Sequence, residues 1–357
     1  MKIAVQNPSF LLDPGVKRDF SVAFEFIKLA KPAIFLTHWS QVWIYTKRLN
    51  QLGLNPLAFK FLISEAALNR YADLLITFND VAQDSLNCPI LNFKGFKIAH
   101  ISSFHRHPQE VSRQLEEAGV DFLWAHGDFG GFSPLFRQYF AAYEDRFLVV
   151  PHSFSPHFQK RRAFDSRLPK CAVPVCIESP VCNPQKPGEC SAYYHHYSPE
   201  DRAFPWLEKL KKHAAELSSL ITLLPEEDLI HNRSCPEAVQ FLNDNMLFAA
   251  DSGLFGAPSS RVFEGIAAGA VLIAPRHSSL IDLGFEDEVN CLFHEPGDIE
   301  DFKRVLMRAL QRKEDLGRIA NAATHWVHDT FSAPVIASWL LESLQEVASV
   351  AMAGAAR

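Results

Sequence analysis

Short apolar runs alternate with amphipathic stretches along the first 150 residues. Lys2–Val5, Ala33–Leu36, Asp73–Phe78, Gly95–Ile101, Asp121–Ala125 and Phe147–Val150 read as strands. Asn79 and Asp80 read as a helix N-cap. Pro108–Ala118 has the charged face of a surface helix. Strands spaced this way by helices predict βαβ units around a parallel sheet. The rhythm stops after Val150. Residues 151–169 hold three prolines and two histidines and show no period, which predicts a hinge. A second α/β pattern then begins. Ala172–Ile177, Met246–Ala250, Val271–Ala274 and Cys291–Phe293 read as strands. Pro205–Leu217, Arg261–Ala268 and Asp298–Gln311 read as helices, the last with apolar positions at Ile299, Phe302, Val305, Leu306 and Leu310. Gly269 sits where a helix C-terminus needs it. The tail from Leu316 to Ala348 is helical in composition, with Pro334 expected to break or kink it.

The expected organisation is an α/β domain over 1–150, a linker over 151–170, a second α/β domain over 171–330 and a helical tail over 331–357. The tail is expected to cross back to the first domain and bury Trp326, Val327, Phe331, Val335, Ile336, Trp339, Leu340 and Leu344. A membrane-surface or dimer contact of the tail is the alternative, weakened by the scarcity of Lys and Arg on its polar face. A ligand is expected in the crevice at the carboxyl ends of the strands, between the domains.

The chain has 357 residues, 48% of them hydrophobic and 21% charged, enough for two cores. Its net charge of −6 argues against broad nucleic-acid binding. No apolar run reaches the ~18–20 residues of a membrane span. The first ten residues, MKIAVQNPSF, lack the pattern of a secretory signal. Seven cysteines, an odd number without local pairing, point to a reducing, cytoplasmic setting. Cys171, Cys176, Cys182 and Cys190, with His195 and His196 behind them, raise the question of zinc. Their gaps are mostly longer than those of zinc knuckles, so scattered thiols are the expectation, with no metal and no cofactor. No G-x-G-x-x-G follows the first strand, and no Walker A, H-E-x-x-H or G-x-S-x-G is present.

The most informative stretch is Asp251–Pro275, DSGLFGAPSSRVFEGIAAGAVLIAP. Gly253, Gly256 and Pro258 make a tight loop after a strand, and Ser259 and Ser260 are placed to cap the next helix. Free N–H groups and a positive dipole end suit a phosphate there. Arg261 adds a cation, and Glu264 one turn on has the chemistry to accept ribose hydroxyls. The competing reading is an ordinary capped helix whose Arg and Glu pair at i,i+3 on the surface.

The run Arg261–Pro275, R-x-F-E-G-x-A-A-G-A-x-x-I-A-P, resembles the donor-site helix of group-1, family-4-like glycosyltransferases, nearest to the CgeB-like pattern. The flanks, Ala238–Ala250 before it and Glu288–Phe293 with the helix from Asp298 after it, resemble the same family. The likeness covers roughly 236–345. It implies the GT-B fold, two Rossmann-like domains with an interdomain cleft. It also implies metal-independent transfer of a sugar from a UDP- or GDP-linked donor to a glycan, surface-polymer or lipid-linked glycan acceptor. Glu264 falls on the family's ribose-binding glutamate; Arg261, Ser259 and Ser260 would face the diphosphate. Two departures stand out. Gly256 occupies the place of an earlier glutamate near the transferred sugar, and the diphosphate-gripping Arg/Lys pair has no obvious counterpart after Ala172. They keep two alternatives open: a non-catalytic nucleotide- or glycan-binding protein, and a sugar-nucleotide epimerase or hydrolase on the same fold. On the acceptor side the candidates are His105, His107 and, first, His126 as base or hydroxyl ligand with Asp128 as its partner. His152 and Ser153, in PHSFSP, are expected at the cleft or hinge.

Overall fold

The computed structural model describes residues 1–81, 92–102, 104, 107–173, 205–224, 236–251 and 258–355. The chain forms two compact units. The first is Met1–His126 with Pro134–Val150 and Ala333–Arg357; the second is Gly127–Ser133 with Pro151–Ser332.

The first unit is built on a parallel sheet of seven strands: β1 (Ile3–Gln6), β2 (Ala33–Phe35), β3 (Phe61–Leu62), β4 (Leu74–Ile76), β5 (Phe96–His100), β6 (Phe122–Ala125) and β7 (Phe147–Val149). Their order is β3-β2-β1-β4-β5-β6-β7. Every residue of β1, β2 and β4 is buried, the continuous apolar reading of strands covered on both faces. The order reverses between β1 and β4, whose carboxyl ends therefore open a crevice in which a doubly wound sheet takes ligands.

The second unit has a five-stranded parallel sheet: β8 (Leu168–Val173), β9 (Ile221–Leu223), β10 (Asn245–Ala249), β11 (Val271–Pro275) and β12 (Leu292–His294), in the order β12-β11-β10-β8-β9. Its reversal lies between β8 and β10. The helix Ile299–Gln311 is started by Asp298, whose carboxylate accepts the N–H groups of Glu300 and Asp301. Ile299, Phe302, Val305 and Leu306 are buried, in the same core as Leu247 and Ala249 of β10 and Val271 and Ile273 of β11. The helix Ser260–Ala267 lies close to β10 because Gly265 faces the Phe248 ring. A Cβ there would stand 2.4 Å from ring carbons.

Three boundaries differ from those expected. β8 begins at Leu168, so the proline-rich run gives way to strand inside the expected 151–170 linker. Its expected continuation to Ile177 lies outside the described residues. Gly127–Ser133, inside the expected first domain, groups with the second unit. There the Phe132 ring packs 5.1 Å from that of His277. The tail breaks at Ser332, between the helices Lys313–Phe331 and Ala333–Ala355, not at Pro334. Pro334 instead occupies the first turn of the second helix, where its missing N–H costs nothing. That second helix belongs to the first unit and packs along the helix Ser21–Ala30. Val327, Phe331, Ile336, Leu340 and Leu344 are buried, whereas Trp326 is half-buried and Val335 and Trp339 keep 38% and 37% of their surface exposed. Among the described residues no helix is long and apolar enough to cross a membrane.

Candidate functional site

In the second unit the next described helix after β10 is Ser260–Ala267. Ser259 stands at the N-cap in extended conformation, but its side chain makes no capping bond. This corrects the expected side-chain cap. The Ser259 carbonyl closes the turn, accepting the Val262 N–H at 3.0 Å. A helix start uncapped by its own side chain retains the donors that an outside anion requires. Ser259, Ser260 and Arg261 are half-buried and Gly256 lies outside the described residues.

Arg261 Nη1 donates to Glu264 Oε2 at 3.0 Å. The i,i+3 pair is therefore real, but it is not the surface pair of the competing reading. The Arg261 side chain is 13% exposed and that of Glu264 7%. Exposed helix pairs are held at little cost, whereas a pair this deep must be kept in register by its surroundings. The far end of the helix is held as firmly. Arg167, buried at the start of β8, donates to the Ala268 carbonyl and, from its other nitrogen, to the Leu242 and Asn245 carbonyls. Sequence reasoning missed Arg167, which sits in the basic run read as linker.

Other polar groups gather at the carboxyl ends of this sheet. Asp251, just past β10, is buried and accepts the Trp206 N–H at 2.9 Å. The Trp206 ring lies 4.2 Å from the ring of His294, which ends β12. His294 Nδ1 donates to the Glu295 carbonyl. Burial holds this imidazole neutral, lowering its pKa to about 4. Trp206 Nε1 and His294 Nε2 are buried and find no hydrogen-bond partner among the described residues. His277, after β11, caps the helix Ser278–Asp282 by accepting the Ser279 N–H. Burial lowers its pKa as well.

In the first unit His126 follows β6 directly. Its Nδ1 is 2.9 Å from the Val150 carbonyl. A carbonyl only accepts, so the proton sits on Nδ1 and Nε2 is the basic nitrogen of the neutral ring. The Trp124 ring stands edge-on at 5.6 Å, and the His100 ring lies 5.9 Å away. His100 ends β5; the residue is half-buried, its ring nitrogens are withdrawn from solvent, and its ring centre lies 4.2 Å from that of Trp124. Burial carries its pKa down to about 4; nearby Asp80 acts in the opposite sense. Asp80 in turn accepts the N–H and hydroxyl of Ser102. Asp80, His100 and His126 thus follow or end β4, β5 and β6, which are adjacent in the sheet. Sequence reasoning found His126 and missed His100, although each closes a run expected as strand. Asp80 was expected to cap a helix.

Asp128 is placed otherwise than expected. Its carboxylate accepts the Gly131 N–H at 2.9 Å and caps the turn Phe129–Phe132, within the second unit. It serves backbone there and is not the orienting partner of the His126 Nδ1, a role the Val150 carbonyl fills. His107 precedes the helix Pro108–Glu117 without a side-chain capping bond, and His105 lies outside the described residues. His152 and Ser153 are half-buried in the second unit, beside Phe154, whose ring packs 4.8 Å from that of His328. Cys171 is buried in β8, where burial pushes its thiol far above the usual range; the other cysteines of that run lie outside the described residues.

Comparison with known proteins bears on this second-unit site. Residues 228–341 match the family described as glycosyl transferase-like, a span that includes Arg261, Glu264, Asp251 and His294. No curated protein matches the chain by sequence. Among solved structures, HepE from Anabaena in complex with UDP is similar in fold. It has a TM-score of 0.55 and 14% identity over 97% of this chain and 100% of that one. Sucrose-phosphate synthase from Thermosynechococcus elongatus is similar with a TM-score of 0.53 and 12% identity, over 98% of this chain and 100% of the other. With its two parallel sheets the chain has the GT-B fold, and its residues 228–341 match the glycosyl transferase-like family.

Proposed function

We propose that the protein transfers a sugar from a nucleoside-diphosphate sugar to a glycan acceptor. The carrying observation is the buried Arg261–Glu264 pair, set in the first turn of the helix after β10 and inside the segment that matches the glycosyl transferase-like family. Breaking the donor's anomeric C–O bond leaves negative charge on the departing diphosphate. The N-terminus of the helix Ser260–Ala267 and the Arg261 guanidinium supply fixed positive potential for that charge. Glu264, held by Arg261, presents a carboxylate for ribose hydroxyls. The UDP and UDP-glucose in the HepE complexes favour a uridine nucleotide as the first donor class to try.

The acceptor hydroxyl belongs, in this reading, to the first unit. His126 Nε2 is the basic nitrogen of a ring oriented by the Val150 carbonyl, suited to bind the hydroxyl or take its proton as the new C–O bond forms. His152 and Ser153 are further candidates for substrate contact. Neither a metal nor a cofactor enters the scheme.

The test is a thermal-shift titration with UDP, GDP, CDP, dTDP and ADP, followed by product analysis with the matching nucleotide sugars. A ligand that binds only the folded chain raises the melting temperature by mass action. A shift with UDP or GDP, lost in Glu264→Gln, and acceptor-dependent release of nucleotide would support transfer. Nucleotide release without acceptor would mean hydrolysis. Binding without turnover would mean a non-catalytic protein, and no shift with any nucleotide would remove the proposed site.

A further inference from the structure

Between Glu25 and Glu65 the chain carries no acidic residue and five basic ones, Lys28, Lys31, Lys47, Arg48 and Lys60, although its net charge is −6. This asymmetric stretch includes the helix Trp39–Gln51, capped by His38. Tyr45 and Leu49 bury one side of that helix. The opposite side presents Trp39 and Trp43, which are 67% and 69% exposed, and Ile44. At 3.6 residues per turn Trp39, Trp43 and Lys47 follow one another along a single face. Lys47 Nζ lies 5.4 Å from the centre of the Trp43 ring. The turn Pro56–Ala58, in contact with the helix, adds Leu57, which is almost wholly exposed, and Lys60 follows it. Asp13 is the acidic side chain close by, and its carboxylate accepts the Gly15 N–H while its carbonyl accepts Arg48.

We infer that this face docks on an anionic lipid surface. Indole rings with an apolar body and a polar N–H partition to the boundary between headgroups and acyl chains. Arg48 is held by the Leu11 and Asp13 carbonyls and Lys28 by Glu25, so Lys47 and Lys60 are the cations drawn to anionic headgroups, and a face holding both rings and lysines binds more strongly than either element alone. The absence of carboxylates across the whole stretch removes the repulsion that an anionic surface would otherwise meet. A second copy of the chain is less well matched, because the same basic face would meet itself in a two-fold contact.

The experiment is co-sedimentation of the full chain with vesicles of phosphatidylcholine alone and of phosphatidylcholine mixed with phosphatidylglycerol. Binding to the mixed vesicles, weakened by salt, and little binding to phosphatidylcholine alone are expected. The double variant Trp39→Ser/Trp43→Ser should lose at least about tenfold in partition, since each exposed ring contributes independently. Lys47→Gln should lose a smaller factor and flatten the salt dependence. Unchanged melting temperatures would show that both variants fold, and Lys47→Gln keeps the test open should the double variant not. The inference is overturned if the wild type ignores anionic vesicles or if the variants bind as the wild type does. It is also overturned if the Trp variants convert a wild-type dimer to monomer, or if a neutral soluble glycan, and not the vesicles, quenches fluorescence that the Trp variants lack.

Discussion

Replacing Glu264 by leucine, Arg261 by methionine, and both together isolates the pair on which the donor site rests. The charges are bonded at 3.0 Å and both side chains are largely withdrawn from water. With charge centres ~4 Å apart and an effective dielectric of ~20, their attraction is about 4 kcal/mol before desolvation is subtracted. Removing one partner of a buried pair strands the other, at about 3–5 kcal/mol when burial is complete. Arg261 retains 13% exposure and can draw some water, so ~2–3 kcal/mol for Glu264→Leu is the expectation. In a unit of this size that is a fall of about 4–12 °C in melting temperature. The double variant removes both charges of the pair together and should be no less stable than the better single variant. Urea denaturation of all four proteins gives the coupling energy, expected at ~2 kcal/mol. Additivity within about 0.5 kcal/mol would refute the claim that the pair is a cooperative buried unit. Nucleotide binding should be lost in all three variants; binding retained by the stable double variant would show that the site lies elsewhere.

Gly265→Ala should destabilise the second unit by ~1–3 kcal/mol, because the new methyl enters the Phe248 ring at 2.4 Å; differential scanning calorimetry reads it. His100 and His294 titrate at about 4 when folded, against the ordinary 6.5, so between those values the unfolded chain binds more protons. Stability is therefore full above 6.5, falls as the pH drops through the window, and levels off below about 4; each histidine contributes on the order of 3 kcal/mol. His294→Phe should flatten part of that slope in melting curves across the window. His126→Ala should lower the transfer rate by ~100-fold or more with donor affinity unchanged, as expected for loss of a general base, whereas Asp128→Ala should lower stability by ~1 kcal/mol through its lost cap. A chelator should leave the transfer rate unaltered if charge on the diphosphate is met by Arg261 and the helix end, which an activity assay with and without chelator decides.

The sheets were legible wherever buried parallel strands leave continuous apolar runs. Ile3–Gln6 and Asn245–Ala249 are such cases, completely buried and located within a residue. β3 and β9 went unread, because two or three residues give no period. The helix Ser260–Ala267 was legible from its loop glycines and small residues, and Arg261 and Glu264 with it. Burial of their pair was not, since i,i+3 spacing is the same on a surface or in a crevice. Arg167 hid in a basic run whose other members are exposed, and its role depends on carbonyls 75 to 101 residues away. Asp128 beside His126 suggested a catalytic couple, but adjacency in sequence does not make one. The Gly131 N–H lies three residues on, at the usual capping distance, and claims the carboxylate.

The helix Ala333–Ala355 lies against the helix Ser21–Ala30 of the same unit, although some 300 residues separate them in the chain. This fixes an order of assembly during synthesis. The second unit is nearly continuous in sequence and can close as soon as residue 332 has left the ribosome. The first unit, whose sheet is made first, must wait for residues 333–355 before the helix Ser21–Ala30 gains its packing partner. While residues 333–355 are being made, the nascent chain carries an unfinished first unit and a finished second one, the reverse of the usual vectorial order. That waiting interval is when a chaperone has the most apolar surface to hold.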